Sequence, residues 1–361
     1  MTFIIQQKNA TMPFLHEFAC ITVAAPMGIQ RRRFEAGATR EQNGMKLFYT
    51  DVFVLPLPAE HRFPMAKYER LRHRLEAAKG MCPPSEGSAP EYTLRTPPGA
   101  TDDELSLAHD PEYIRRVCAG TLSKAEVRRI GFPWSQEMVE RSRRSTGATL
   151  AAARAALTEG VAANLAGGTH HAGRSHGEGY CVFNDAAVAA HVMRREEKDL
   201  RVSVVDCDVH QGNGTAEILG PEPWAFTFSV HGERNFPFRK AAGDLDIGLS
   251  DGAGDEDFLQ AVVHGTREAI ERFMPDVVIY LAGADPYAKD RLGRMNVSKS
   301  ALAERDRIVL EKCYARGIPV AIAMAGGYAD SLEDIVDIHE ETVRAAYRLW
   351  HAERRGRRAV S

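Results

Sequence analysis

One arrangement recurs five times in this sequence and limits the folds open to it: a short apolar run, then glycine or a tight turn, then side chains able to do chemistry. Val161 to Leu165 leads into Gly167-Gly168-Thr169-His170-His171, Val202 to Val205 into Asp206-Cys207-Asp208-Val209-His210, and Trp224 to Ser229 into Val230-His231-Gly232. Asp276 to Leu281 leads into Gly283-Ala284-Asp285-Pro286, and Pro319 to Met324 into Gly326-Gly327-Tyr328. Runs this short and bounded by turn signals read as buried strands. Open parallel α/β sheets bind ligands outside the carboxyl ends of their strands, so these ends predict one convergent pocket. The expected fold is α/β: a single domain with a central, mainly parallel β-sheet flanked by helices, its active site at the C-terminal ends of the strands.

On a strand, alternate side chains share a face, so Asp206, Asp208 and His210 project together where their run breaks into a glycine turn. Two of them are placed to hold one metal ion, and a catalytic zinc shell takes three protein ligands and leaves a position open for water. Asp285, at the end of another run, is the candidate third ligand; read alone, an Asp before Pro could equally be a turn residue, and Asp206 could merely cap its turn. A metal held by Asp208, His210 and Asp285 would polarise an acyl oxygen and bring the pKa of bound water to roughly 7. Zinc suits this set, and its carboxylates could also accept iron(II). His170 and His171 form an adjacent pair after two glycines that packing explains poorly, and imidazoles supply the groups near neutrality that proton transfer needs. Tyr328 could donate a hydrogen bond to an oxyanion beside the metal, with Gly326 and Gly327 letting the backbone approach closely.

Gly167-Gly168-Thr169-His170-His171-Ala172, Gly179-Tyr180-Cys181-Val182-Phe183-Asn184-Asp185, the Asp206 to Gly214 block, Gly283-Ala284-Asp285-Pro286 and Gly326-Gly327-Tyr328 are similar to the motif series of the zinc-dependent histone deacetylase family, and they stand in that family's order. The resemblance runs from about Met45 to about Ala345 and implies the arginase/deacetylase fold. Gln211-Gly212-Asn213-Gly214 and Asp290-Arg291-Leu292-Gly293-Arg294 resemble the class IV branch and its bacterial relatives. The family pattern assigns His171 the general base and acid role, makes His170 its electrostatic partner, and pairs His170 with Asp206 and His171 with Asn213. Class I members carry a carboxylate at the position of Asn213, so His171 is expected to titrate lower here. The resemblance also places Gly179, Tyr180 and Phe236 around the substrate tunnel, and matches Ser229, with main-chain carbonyls near Asp206, Asp208 and His210, to a structural potassium site. The implied reaction is removal of an acyl group, acetyl above all, from an N-acylated amine such as acyl-lysine in a protein or a small acylated amine. Long-chain acyl groups enter through the class IV likeness.

With 361 residues and 44% hydrophobic content the chain can bury a large core. A net charge of −3 gives no bulk attraction to nucleic acid, and no apolar stretch approaches the roughly 20 residues that cross a bilayer. The six cysteines include no C-x-x-C pair, which argues against a disulfide framework or a cysteine zinc module and makes the reducing cytoplasm the default. Residues 1–44 do not match the family; they read as a disordered or mis-assigned extension, with Met45 as a second start, rather than as a targeting peptide built on Arg31-Arg32-Arg33, since Glu17 interrupts the only apolar run. Residues 45–350 then form the catalytic domain and 351–361 a basic tail. Residues 82–100, rich in proline, read as a surface loop near the pocket mouth. Residues 138–157 read as a helix with Arg141, Arg143 and Arg144 on a solvated face.

Two departures bear on the substrate. Many deacetylases carry a rim aspartate in the loop before the His-His motif that grips peptide backbone, whereas Gly131-Phe132-Pro133-Trp134-Ser135 offers no carboxylate before Glu137. The usual His-Pro-Glu near the amino end is replaced by His61-Arg62-Phe63-Pro64. Two other readings are weighed against a deacylase. An arginase-type hydrolase binds two manganese ions through a further aspartate, where this chain has Gly212. A non-catalytic acyl-lysine or metal-binding module has no need of His170, His171 and Tyr328 together.

Overall fold

The computed structural model describes residues 4–7, 44–78 and 92–352. In chain order its elements are β1 (Ile4–Gln7), β2 (Met45–Phe48), α1 (Ala66–Ala78), β3 (Tyr92–Arg95), α2 (Asp102–Leu105), α3 (Pro111–Ala119), α4 (Lys124–Ile130), α5 (Gln136–Glu159), β4 (Val161–Asn164) and α6 (Asp185–Glu196). There follow β5 (Val202–Asp206), α7 (Asn213–Leu219), β6 (Ala225–Gly232), β7 (Leu245–Leu249), α8 (Asp255–Thr266), β8 (Val277–Leu281), α9 (Lys299–Ala315), β9 (Val320–Ala323) and α10 (Leu332–Tyr347). The helices begin where capping chemistry allows. Ser123 and Glu126 form a reciprocal capping box on α4, Ser135 caps α5, and Ser298 caps α9.

Among the described residues all nine strands join one sheet in the order β1-β7-β6-β5-β8-β9-β4-β2-β3, parallel throughout except for β1, which runs antiparallel along β7. Helices cover both faces, so the strands are apolar on both sides rather than alternating. The period of two survives as a division between two cores. Val278 and Tyr280 of β8 enter one core with Val320 and Ile322 of β9; Val277, Ile279 and Leu281 enter the other with Ala321 and Ala323. From β5 the chain builds outward through β6 and β7, then returns to lay β8 on β5's other side. The order therefore reverses between β5 and β8, the crevice where such sheets bind ligands.

Three expectations change. Ile4–Gln7 lies within the stretch read as an extension, yet it pairs with β7 from Ile4 opposite Gly248 to Gln7 opposite Leu245. The rest of residues 1–43, the Pro83-Pro84-Ser85 loop and the 351–361 tail beyond His351 and Ala352, which end a helical turn begun at Arg348, lie outside the described residues. Tyr92–Arg95, read as loop, is an edge strand parallel to β2, and no residue from 92–100 lines the pocket mouth. Arg141 is buried rather than solvated: its guanidinium donates to Thr50 O at 3.0 Å and sits over the Tyr68 ring at 4.7 Å. Those partners satisfy a group that a charge-based reading sends to solvent. Arg143 and Arg144 are only part-exposed and pair with Asp102 and Glu140.

Candidate metal and catalytic site

β5 ends at Asp206 and the chain turns immediately. Asp206 Oδ1 accepts from Asp208 N at 3.1 Å, and its Oδ2 lies 2.6 Å from His170 Nδ1. Asp208 Oδ1 accepts from His210 N at 2.9 Å and lies 3.0 Å from His210 Nδ1, while its Oδ2 accepts from Gly326 N at 2.8 Å. From the end of β8, Asp285 brings Oδ1 to Val209 N at 2.9 Å. Asp285 Oδ2 is buried without a hydrogen bond, 3.3 Å from His210 Nδ1. Asp208, His210 and Asp285 thus present ligand atoms within 4.8 Å of one another, and no second such cluster occurs among the described residues.

A cation fits this cluster. Burial and the neighbouring Asp208 push Asp285 up to about 7. Burial opposes charge on His210, yet Asp208 and Asp285 lift it to about 10. The cluster thus favours a positive charge between its carboxylates, and an unpartnered buried oxygen is free to ligate one. Close approach depends on Gly326, where a Cβ would be driven into Asp285 Oδ2 and Asp208 Oδ2.

The two histidines stand 4.1 Å apart, centroid to centroid, in opposite electrostatic states. Burial works against charge on His170, but Asp206 and Asp208 outweigh it and raise its pKa to about 9. His171 is held well below the ordinary value by burial and by His170 and His210 beside it. Its Nδ1 is 2.7 Å from Asn213 Oδ1, and Asn213 Nδ2 donates to Glu178 Oε1 at 2.6 Å. A carboxylate only accepts, so Glu178 takes the amide nitrogen and turns Asn213 Oδ1 toward His171. His171 then carries its proton on Nδ1 and keeps a lone pair on Nε2.

Tyr328 is fixed through its backbone. Asp290 Oδ2 accepts from Tyr328 N at 2.6 Å, and Arg291 Nε donates to Tyr328 O at 2.9 Å. Buried Lys67 donates to Ala325 O at 3.2 Å and Gly327 O at 3.3 Å from behind the same turn. Burial, with Asp285 and Asp208 nearby, holds the Tyr328 phenol protonated, far above its ordinary pKa.

A pocket of about 530 Å³ opens above these groups, lined by His171, Gly179, Tyr180, His210, Phe236 and Tyr328 among others. At its floor a space of about 50 Å³ reaches past Asp208 and Asp285 to Phe63, Tyr68, Gly168 and Ala325. The eight residues proposed as ligands and catalytic groups are thus gathered at one place, with Gly179, Tyr180 and Phe236 on the wall. Ser229 stands on β6 beside Asp206, its hydroxyl 3.0 Å from His231 Nδ1. Sequence reasoning missed Glu178, Lys67 and Phe63, whose ring packs 5.2 Å from Tyr180 and 6.1 Å from Tyr328. Glu178 adjoins the Gly179-Tyr180 motif, the one signal that could have drawn attention to it.

The histone deacetylase domain profile matches residues 61–343. The chain belongs to the histone deacetylase family. It is 41% identical over 303 residues to an uncharacterized protein of Picosynechococcus sp., covering 84% of this chain and 98% of that one. Acetoin utilization protein AcuC of Bacillus subtilis is 30% identical, with 71% of this chain and 70% of AcuC covered. The crystal structure of a deacetylase homologue from Aquifex aeolicus superposes with a TM-score of 0.69 at 25% identity, covering 84% of each chain. This deacetylase-family membership supports a deacetylase activity, and the metal dependence of the family agrees with the cluster at Asp208, His210 and Asp285.

Proposed function

We propose that the chain is a zinc-dependent deacylase that hydrolyses N-acylated amines, acetyl-lysine or a small acetylated amine above all. The observation that carries the reading is the pairing of unlike histidines beside the three-ligand cluster: His170 held charged by Asp206, His171 held neutral and aimed by Asn213. A divalent ion held by Asp208, His210 and Asp285 would supply Lewis acidity for the acyl oxygen and lower the pKa of a water to roughly 7. His171 Nε2 accepts the proton of the attacking water, and the imidazolium so formed returns it to the departing amine. Charged His170 stays protonated and opposes build-up of positive charge on His171, which favours that return. Tyr328, phenol intact, donates to the oxyanion as the carbonyl becomes tetrahedral.

Iron(II) is the alternative ion, the class IV likeness belongs to this proposal, and a structural potassium near Ser229 is carried by the family resemblance. Among the described residues no helix is long and apolar enough to cross a membrane. The test is turnover of an acetyl-lysine peptide after chelation and after reloading with zinc, with elemental analysis alongside. We expect one ion per chain and activity that follows it. Two ions per chain, or undiminished turnover in the chelated protein, would overturn the reading.

A further inference from the structure

Where the sequence offered no rim carboxylate, the structure puts positive charge. Arg128 and Arg129 stand in the last turn of α4, Arg234 follows β6 and Arg294 follows the Asp290 turn, and all four line the pocket mouth. A helix C-terminus favours cations and accounts for arginines on α4. It does not account for Arg234 and Arg294, which arrive on loops. Those loops are built: buried Asn235 donates to Leu292 O at 2.7 Å and accepts from Arg294 N at 3.2 Å, and Lys240 Nζ donates to Asn235 O and Pro237 O at 2.6 Å. Arg294 reaches Asp251 at 3.3 Å. Arg128, Arg129 and Arg234 have no ion-pair partner among the described residues. Among the described residues the single carboxylate lining the mouth is Glu178, which accepts from Asn213 Nδ2 at 2.6 Å.

Charges of one sign around a low-dielectric cleft focus the field into it and select the sign of what enters. With the acyl carbonyl at the floor beside Asp208, His210 and Asp285, the amine half of a substrate points out past these arginines. We propose that the site selects N-acyl amines whose amine half is anionic, carrying carboxylates within reach of Arg128, Arg129, Arg234 and Arg294. The proposal rests on the deacylase reading of the same pocket. It disfavours acetylated polyamines and lysine-rich peptides, whose remaining cations would be brought against the arginines. The carboxylates can belong to an acidic peptide or to a small acylated amino acid.

Three Nε-acetyl-lysine peptides differing only in Asp, Ala or Lys flanks decide it, with free Nε-acetyl-lysine, its α-amide and N-acetylspermidine as companions. We expect kcat/KM for the Asp-flanked peptide to exceed that of the Lys-flanked one by about tenfold at low salt, chiefly through KM. The gap should close near 1 M salt, where the Debye length is roughly 3 Å. Arg128→Glu/Arg129→Glu and Arg234→Glu should invert the order, a result that loss of structure does not give. Preference for free Nε-acetyl-lysine over its amide supports the small-molecule source; acidic-peptide preference supports the other. Equal turnover of the three peptides, or preference for Lys flanks or acetylspermidine, overturns the proposal while leaving the deacylase reading standing. If none is hydrolysed, the deacylase reading falls, and anisotropy titration of the labelled peptides still decides the mouth, equal binding of acidic and basic forms refuting it.

Discussion

At the scale of single residues, His171 depends on a carboxylate one hydrogen bond removed from its own partner. Glu178 holds Asn213, and Asn213 holds the imidazole. Glu178→Ala frees the amide to flip, so kcat should fall about tenfold with KM little changed on the Ala-flanked acetyl-lysine peptide, whose flanks carry no charge for the mouth to sense, and steady-state kinetics would show it. His171 must be neutral to act as base, and it already titrates well below 6.5. Asn213→Asp places a charge against its Nδ1 and raises that pKa, so the acid limb of the kcat/KM profile should move to higher pH; an unmoved limb would mean His171 is not the titrating base. His171→Ala and Tyr328→Phe should each lower kcat by roughly 10²-fold or more while the metal content of purified protein stays level. Near-normal turnover in Tyr328→Phe would remove the phenol from the mechanism.

At the scale of elements, what the sequence made legible was local and what it hid was long-range. The β5 and β8 strands with their chemical turns could be read because burial on both faces leaves an apolar run with no competing pattern. β3 is four residues of edge strand, Tyr92–Arg95, beside prolines, and only its pairing with β2 makes it a strand. Asp290 and Arg291 could be matched to a motif, but their grip on Tyr328's backbone joins residues 38 and 37 positions away and leaves no local trace. Arg305 shows the same blindness. It is fully buried, donates to Gly283 O at 2.5 Å, and pairs with Asp306, which also accepts from Tyr280 and Thr342. Removing one partner of a buried ion pair leaves the other uncompensated, so Asp306→Ala should cost about 3–5 kcal/mol in urea unfolding. Arg307→Ala, losing only exposed pairs with Glu304 and Glu311 one position along α9, should stay within about 1 kcal/mol.

At the scale of the whole molecule, β1 stands at the far edge of the sheet, joined to it through β7 alone. A chain begun at Met45 should turn over substrate like the full chain, because β7 and β6 stand between β1 and the β5 end that carries the site. It would also leave the outer edge of β7 unpaired, and open edges invite association. We therefore expect unchanged kcat per active molecule with more aggregation on light scattering; loss of turnover in the monomer would show that the segment supports the catalytic fold. The depth of the pocket sets a second molecule-wide property, the acyl chain it takes. Each buried methylene contributes about 0.8 kcal/mol, so a long tunnel gives a steep rise of kcat/KM from acetyl to myristoyl, and a floor space of about 50 Å³ favours the short group.

Phe63 lies near the start of the catalytic span and Tyr328 near its end, and both rest against Tyr180. The wall of the pocket is therefore a seam that closes only when the two ends of that span meet. Closing so distant a contact carries more loop-closure entropy than any local one, and contacts of high sequence separation form late. Recovery of enzymatic turnover should trail recovery of helical signal when the denatured chain is returned to buffer, and a break in the backbone between the two phenyl rings' segments should silence the site even where most secondary structure survives.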